Sequence, residues 1–132
     1  MKIVIVLDEK LPAGIMANTS AALAMSCCRK IPGIIGKDVT DADMNIHPGL
    51  LTMPVPVLSS NAEQLGEIKR TASDAGLDVI GFTDIAARSR SYDSYIESMA
   101  SSGSADLKYL GLCIFGDTGK VRSITGALPL VK

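Results

Sequence analysis

The sequence predicts a single α/β domain in which a sheet carries helices on both faces. Three observations predict it. The chain opens with a continuous apolar, β-branched run at residues 2–7, which is typical of a buried parallel strand. Segments with strand pattern then alternate with segments of helical period. The length of 132 residues suits one domain, and 47% hydrophobic against 20% charged residues is a globular composition.

The first half of the chain contains the opening strand, a helix and a long connection. Asp8 and Glu9 end the strand, and a helix rich in small residues is predicted over residues 15–29. The pattern over residues 34–53 is weak, and we predict a long connection with a short strand near residues 49–52. A connection of this length is uncommon in a compact domain, so it is a candidate functional or oligomer-contact segment.

The clearest local signal is a helix over residues 61–75. Ser60 and Glu63 have the spacing of a capping box, and Gly76 stands where a left-handed glycine ends a helix. A second strand is predicted just before it, at residues 55–58. Because Pro56 cannot donate a ladder hydrogen bond, we expect this strand at an edge of the sheet or at a strand start.

The second half continues the alternation. We predict a third strand at residues 77–82, a helix at residues 92–99, a fourth strand at residues 107–115 and a turn at residues 117–120.

Charge and cysteine content narrow the function classes. The formal net charge is −1, from 13 basic and 14 acidic residues, which disfavours a nucleic-acid partner because phosphate binding usually needs a basic excess. The three cysteines lack metal-ligand spacing, and we expect no cofactor and no metal. The opening apolar run is too short for a signal peptide or a membrane span. We therefore expect a reduced, cytoplasmic setting.

Three segments in order resemble the type 2 peptidyl-tRNA hydrolases and the bacterial proteins of unknown function that share their fold. They are the opening strand with Asp8, Lys10 and Gly14, the stretch of residues 60–84, and the closing stretch of residues 124–130. The resemblance covers most of the chain except residues 34–53 and 86–106. It implies a three-layer α/β/α sandwich with a four-stranded mixed sheet, and a homodimer.

The catalytic groups of that family are mostly missing here. Its Gly-Lys-Gly-Lys stretch falls on residues 12–15, which contain no lysine, its glutamine falls on Thr19, and its histidine falls on Ala22. The aspartate after the third strand is kept as Asp84, whereas the following threonine falls near Arg88. Without the lysines, this stretch has no cationic side chain to bind phosphate or to stabilise the charge that develops during ester hydrolysis. We expect no peptidyl-tRNA hydrolase activity.

A candidate binding crevice follows from the polar residues near the strand ends. Open α/β sheets place ligands at the carboxyl ends of their strands, where Asp8 and Asp84 stand. If the two strands are neighbours, these carboxylates can form an acid pair or bind a small cation. Asp84 is equally well explained as an N-cap for residues 85–87. The crevice would be lined by Asp8, Lys10, Asn18, Thr19 and Asp84.

Several alternatives have weaker support. The hydroxyls near the start of the first helix more often bond the backbone one turn back than hold an anion. His47 could serve Cys27 or Cys28 as a base, but adjacent cysteines on an Ala-rich helix are usually buried hydrophobes, and we expect His47 to be a hydrogen-bonding or dimer-contact residue. A basic and aromatic cluster could contact phosphates, yet nearby acidic residues favour a solvated helix face; its members are Arg88, Arg90, Tyr92, Tyr95 and Lys108.

Three function classes remain. The favoured one is a non-catalytic domain that binds a small molecule or a partner in the candidate crevice and forms a homodimer. The second is an enzyme, either a residual peptidyl-tRNA hydrolase or another hydrolase that uses Asp84 with Thr19. The third is a structural or oligomerisation module, which would be favoured if residues 34–53 are buried between protomers.

Overall fold

The computed structural model describes residues 1–132 as a mixed α/β structure with five α-helices. The strands are β1 (Lys2–Asp8), β2 (Val39–Thr40), β3 (Ile46–His47), β4 (Val57–Ser60), β5 (Asp78–Thr83) and β6 (Tyr109–Gly116). The helices are α1 (Ala13–Lys30), α2 (Ala62–Asp74), α3 (Asp84–Arg88), α4 (Tyr92–Ala100) and α5 (Thr118–Thr125). A 3₁₀ turn covers Ser104–Asp106. No helix has both the length and the apolar character needed to cross a membrane.

The main sheet has four strands in the order β4-β1-β6-β5 and is mixed. β1 runs parallel to β4, and β6 runs antiparallel to both β1 and β5. The strands β4, β1 and β5 therefore point the same way and end together, at Ser60, Asp8 and Thr83. We call this the carboxyl end of the sheet; β6 begins there, at Tyr109.

The edge position predicted for the second strand is confirmed, because β4 is the first strand of the sheet. The C-terminal tail runs along its free side. Leu130 forms an antiparallel bridge with Leu58, and the Val131 amide donates to the Val57 carbonyl over 2.9 Å. The tail thus satisfies backbone groups that an edge strand would otherwise leave open.

The alternation of β1 residues divides the core into two clusters. Val4 and Val6 lie in a cluster to which α2 and α5 contribute, whereas Ile3, Ile5 and Leu7 lie in a cluster to which α1 contributes. Successive strand residues point to opposite faces, so a run without polar residues can supply both clusters.

The predicted capping box is wrong by one residue. Asn61 caps α2, because its side chain accepts from the Gln64 amide over 2.8 Å while the Gln64 side chain accepts from the Asn61 amide. Ser60 is instead the last residue of β4, where it is buried and pairs in register with Asp8. Strand pairing therefore holds Ser60 outside the helix. Gly76 has a φ of +79°, the left-handed conformation predicted for the residue that follows the helix.

The strand predicted at residues 49–52 is wrong. This stretch contributes only one isolated bridge, between Leu51 and Ile35. The regular structure of the connection is instead the hairpin of β2 and β3, in which Val39 pairs with His47 and Thr40 with Ile46.

The turn predicted at residues 117–120 is also wrong, since it is the start of α5. The Asp117 side chain caps this helix by accepting from the Lys120 amide over 3.0 Å.

Candidate functional site

The predicted crevice residues lie at or next to the carboxyl end of the sheet. Asp8 ends β1, Asp84 follows β5, and Lys10 lies in the loop that leads from β1 into α1. β1 and β5 are not neighbours, because β6 lies between them. At about 4.8 Å per strand spacing, the backbones at Asp8 and Asp84 are roughly 10 Å apart. The condition stated for an acid pair or a shared cation, that the two strands are neighbours, is therefore not met.

Asp8 is 6% exposed, and its carboxylate supports the turn that follows β1. Its Oδ1 accepts from the Lys10 amide over 3.0 Å, an interaction that favours a turn two residues on. The Lys10 side chain itself is exposed. A ligand at this end of the sheet would meet the ammonium group of Lys10 more easily than the carboxylate of Asp8.

Asp84 is the first residue of α3 and not its cap. Thr83 is the N-cap, since its Oγ1 accepts from the Ala86 amide over 3.3 Å. The two carboxylate oxygens of Asp84 accept from the Ile85 amide and from Arg88 Nη1, each over 3.0 Å. The predicted capping role of Asp84 is thus taken by its neighbour.

The charge state of Asp84 follows from these partners. Partial burial raises the pKa of its carboxyl, but the hydrogen bond from Arg88 and backbone hydrogen bonds at Lys108 and Ile85 outweigh burial and hold the pKa below its ordinary value. Asp84 is therefore ionised at neutral pH. It can accept hydrogen bonds from a ligand, and it is a poor proton donor.

Asn18 and Thr19 occupy the second turn of α1 but differ in exposure. Asn18 is exposed, whereas Thr19 is fully buried against Gly111 of β6. A methyl group added to Gly111 would lie 2.9 Å from the Thr19 methyl and 2.8 Å from Leu7 Cδ2, so the glycine is what permits this close approach of helix and sheet. The Thr19 hydroxyl is the one buried side-chain polar atom without a hydrogen-bond partner. The local backbone partner expected for it is absent.

The start of α1 has no side chain that satisfies its backbone. Pro12 occupies the N-cap position without a side-chain hydrogen bond, and the first turn carries no acidic residue. The free amides of a helix start favour acceptor groups. Because α1 follows β1 after a short loop, this end of the helix faces the carboxyl end of the sheet.

The largest cleft lies elsewhere, between α2 and the segment of residues 104–109. Its volume is about 720 Å³, and its lining includes Lys69, Arg70 and Tyr109 but none of the five predicted residues. Only three of its eleven lining residues are hydrophobic, whereas ligand pockets are lined mainly by apolar groups. We interpret it as a solvated helix face. Sequence reasoning missed this cleft because the approach of Lys69 to Tyr109 depends on the strand order.

The sequence grouped Arg88 with the basic and aromatic cluster, whereas the structure puts it beside Asp84 of the candidate site. It pairs with Asp84 and does not join the predicted basic and aromatic cluster. The spacing of four residues in a helix was the signal that could have identified this ion pair. Within the cluster, Tyr92 and Tyr95 contact each other edge to face, with ring centroids 5.6 Å apart.

His47 has a carboxylate as its hydrogen-bond partner and not a thiol, and two of the three thiols are buried. Burial raises the pKa of Cys27 and of Cys113, and both side chains are buried, so they stay protonated at neutral pH. His47 lies in the hairpin, where Nε2 is 2.7 Å from Asp41 Oδ2. The hydrogen bond to His47 lowers the pKa of Asp41. As expected, His47 is a hydrogen-bonding residue of the long connection.

Comparisons with known proteins give a family and a similar fold, and neither is described with an activity. The sequence profile of a family described as "Protein of unknown function (DUF2000)" matches residues 1–132. No curated protein matches the chain. The solved structure of a protein of unknown function from Agrobacterium tumefaciens superposes with a TM-score of 0.89 at 19% identity, covering 98% of this chain and 96% of that chain. At this identity the likeness shows a shared fold alone.

Proposed function

Since the chain belongs to the DUF2000 family of proteins of unknown function, we propose a function from the site itself: a non-catalytic domain that binds a small polar molecule. The binding crevice lies at the carboxyl end of the sheet and is lined by Asp8, Lys10, Asn18 and Asp84, with Thr19 buried beneath it. The observation that carries the proposal is the placement of Asp8 and Asp84 at the ends of two parallel strands with β6 between them.

The spacing of these groups supports a molecular ligand. The backbones of the two strand ends are roughly 10 Å apart with β6 between them, a span that suits a small molecule lying across the start of β6. Hydrogen-bond acceptors are available from Asp84, and donors from Lys10, Asn18 and the start of α1. Thr19 lies beneath this surface. A ligand reaches its hydroxyl only if the first turns of α1 move away from Gly111.

The ionisation of Asp84 and the burial of the Thr19 hydroxyl support binding over catalysis. A hydrolase that used Asp84 would need it as a general base or acid, and efficient general catalysis needs a pKa near the working pH. The pKa of Asp84 is held below its ordinary value by Arg88 and backbone hydrogen bonds. The alternative, a hydrolase that uses Asp84 with Thr19, also requires a buried hydroxyl to reach a substrate.

The fold type within this proposal is a three-layer α/β/α sandwich similar to the type 2 peptidyl-tRNA hydrolases. The division of the core between α1 on one side and α2 with α5 on the other supports it. Residues 12–15 correspond to that family's Gly-Lys-Gly-Lys stretch and contain neither of its two lysines, which supports the loss of that family's activity. A shared scaffold accounts for shape and not for chemistry.

A fragment screen followed by amide NMR tests the proposal. Small polar amines, alcohols and carboxylic acids at millimolar concentration should shift the amide signals of Lys10, Asn18 and Asp84. Asp84→Asn should weaken binding of the best fragment at least tenfold, because it removes a charged acceptor. Asp78→Asn is the matched control, since Asp78 is exposed at the opposite end of β5.

Two outcomes would contradict the proposal. One is a set of shifted signals confined to the cleft of Lys69 and Tyr109. The other is equal weakening by the two variants. Turnover of a peptidyl-tRNA analogue at high protein concentration, lost in the Asp84→Asn variant, would instead establish the enzyme alternative.

A further inference from the structure

A second cavity lies at the end of the sheet opposite to the candidate crevice, beside α5. Its volume is about 360 Å³, which is within the range of small-molecule sites. Residues of β1, of β4, of α5 and of the segment that follows α5 all contribute to its lining. One of them is Lys2, the first residue of β1, so the cavity is at the amino end of that strand.

The deeper part of this cavity is apolar. Val4 is completely buried, Leu58 is buried and Leu128 is half-buried. All three belong to, or pack against, the core cluster to which α2 and α5 contribute. Such a surface favours a ligand with a hydrocarbon part, because contact removes apolar area from water.

Two cationic side chains line the same cavity, and no carboxylate does. Lys2 is on the same face of β1 as Val4, because strand residues two positions apart share a face. Arg122 is an exposed residue in the last turn of α5. Neither side chain takes part in an ion pair with a carboxylate of the protein.

The charge of this cavity differs from that of the rest of the protein. The chain has a net charge of −1, and the cleft of Lys69 and Tyr109 is lined by three carboxylates and two cations. The helix dipole favours a basic residue in a last helical turn, which accounts for Arg122. Lys2 comes from a strand, so its place at the same cavity is a separate observation. Two like charges without a counter-charge attract an anion.

Two neutral donors at the cavity are already engaged. The Thr125 hydroxyl donates to the Val121 carbonyl over 2.7 Å, and the Gly126 amide donates to the Arg122 carbonyl over 2.8 Å. An anion at this site is therefore held by the side chains of Lys2 and Arg122. A guanidinium group binds carboxylates and phosphates through two parallel hydrogen bonds, so both kinds of anionic group fit it.

We infer that this cavity is a second binding site, for a small molecule that joins a carboxylate or phosphate group to a short hydrocarbon chain. Lys2 and Arg122 bind the anionic group, and the apolar lining contacts the hydrocarbon chain. The site is at the other end of the sheet from the candidate crevice and does not depend on the function proposed for that crevice.

Amide NMR titrations of the full chain with hexanoate and with hexyl phosphate test the inference. Both anions should shift the signals of Lys2, Gly126 and Leu128, and the one that binds more tightly identifies the preferred anionic group. Hexanol has the same hydrocarbon chain without the charge and should bind at least tenfold more weakly. Raising the salt concentration should weaken the binding of the anions and not that of hexanol, because salt screens charge interactions at a protein surface.

Charge-removing variants test the two cations. Arg122→Gln should weaken binding of the preferred anion at least tenfold, with an unchanged circular dichroism spectrum because the side chain is exposed. Lys2→Gln should weaken binding in the same direction, and it tests the inference independently if Arg122→Gln does not fold. Arg70→Gln is the matched control, since Arg70 is an exposed arginine of α2 outside this cavity and the same charge is lost.

Four results would overturn the inference. They are unshifted cavity signals at millimolar anion, hexanol that binds within tenfold of the anions, a loss below tenfold in both Arg122→Gln and Lys2→Gln, and equal weakening by Arg122→Gln and Arg70→Gln. The signals of Lys10 and Asp84 report on the candidate crevice at the other end of the sheet. Binding in the crevice and binding in this cavity are therefore measured separately in one experiment.

Discussion

Replacing Thr19 with valine is expected to stabilise this protein in the absence of ligand. The Thr19 side chain is fully buried, and its hydroxyl has no hydrogen-bond partner. Valine keeps the branched shape and replaces the hydroxyl with a methyl group. Because threonine and valine have similar helix propensities, the backbone of α1 is not affected. What changes is the desolvation penalty of one polar group.

The magnitude follows from that penalty. A buried polar group without a partner destabilises a protein by about 1–3 kcal/mol, and we expect about 1–2 kcal/mol to be recovered on Thr19→Val. At about 2.1 cal/mol/K per residue, the unfolding entropy of a chain of 132 residues makes 1 kcal/mol equal to about 4 °C in Tm. The variant should melt about 4–7 °C above the wild type.

Urea and thermal unfolding with Thr125→Val as a control measure this effect. Thr125 is also buried in a helix, but its hydroxyl donates to the Val121 carbonyl over 2.7 Å. Thr125→Val should lower the free energy of unfolding by about 0.5–1.5 kcal/mol. If Thr19→Val is destabilised as much as Thr125→Val, the Thr19 hydroxyl has a partner in the folded protein and the reasoning is refuted.

Three further predictions concern packing, thiol reactivity and pH. Gly111→Ala should lower the free energy of unfolding by about 1–3 kcal/mol in urea titrations, because its added methyl lies within 3 Å of two core side chains; an unchanged midpoint would contradict this. Cys28, which is half-buried, should react with Ellman's reagent in the native protein, whereas burial raises the pKa of Cys27 and Cys113 and should leave both unreactive until unfolding. The hydrogen bond with His47 lowers the pKa of Asp41 from its ordinary value of 3.8, so ionised Asp41 stabilises the hairpin of β2 and β3 at pH values above 3.8. This contribution is lost as pH falls through the pKa that Asp41 has in the folded protein. The protection of the amides in the hairpin of β2 and β3, measured as the exchange rate relative to the intrinsic rate at each pH, should fall as pH falls through that pKa. Asp41→Asn should remove this pH dependence of protection.

Local features were predictable because each depends on a few neighbouring residues. The apolar run of β1, the helical period of α2 and the left-handed Gly76 all appear in the structure where their patterns indicate. Predictions were less reliable for residues at the boundary between two elements, where a residue can belong to either one. Ser60 has the chemistry of a helix cap, yet pairing of β4 with β1 makes it a strand residue, and the cap moves to Asn61.

The candidate crevice was predictable only in part. The general rule for open α/β sheets identified the strand ends with Asp8 and Asp84 as a place for ligands. The rule does not give the distance between them, since that depends on β6 lying in between. The partner of Asp84 and the burial of Thr19 likewise depend on how α1 and α3 pack on the sheet.

The sequence by itself determined the α/β class, the position of the long helices and the absence of lysine from residues 12–15, and it limited the second strand to a sheet edge or a strand start. These features follow from residue type and short-range spacing. Only the tertiary structure decided that β6 separates Asp8 from Asp84, that the Thr19 hydroxyl is unpaired, and that the long connection forms an ordered apolar hairpin. Strand order, burial and side-chain exposure are set by contacts between residues far apart in the chain, and no local pattern encodes those contacts.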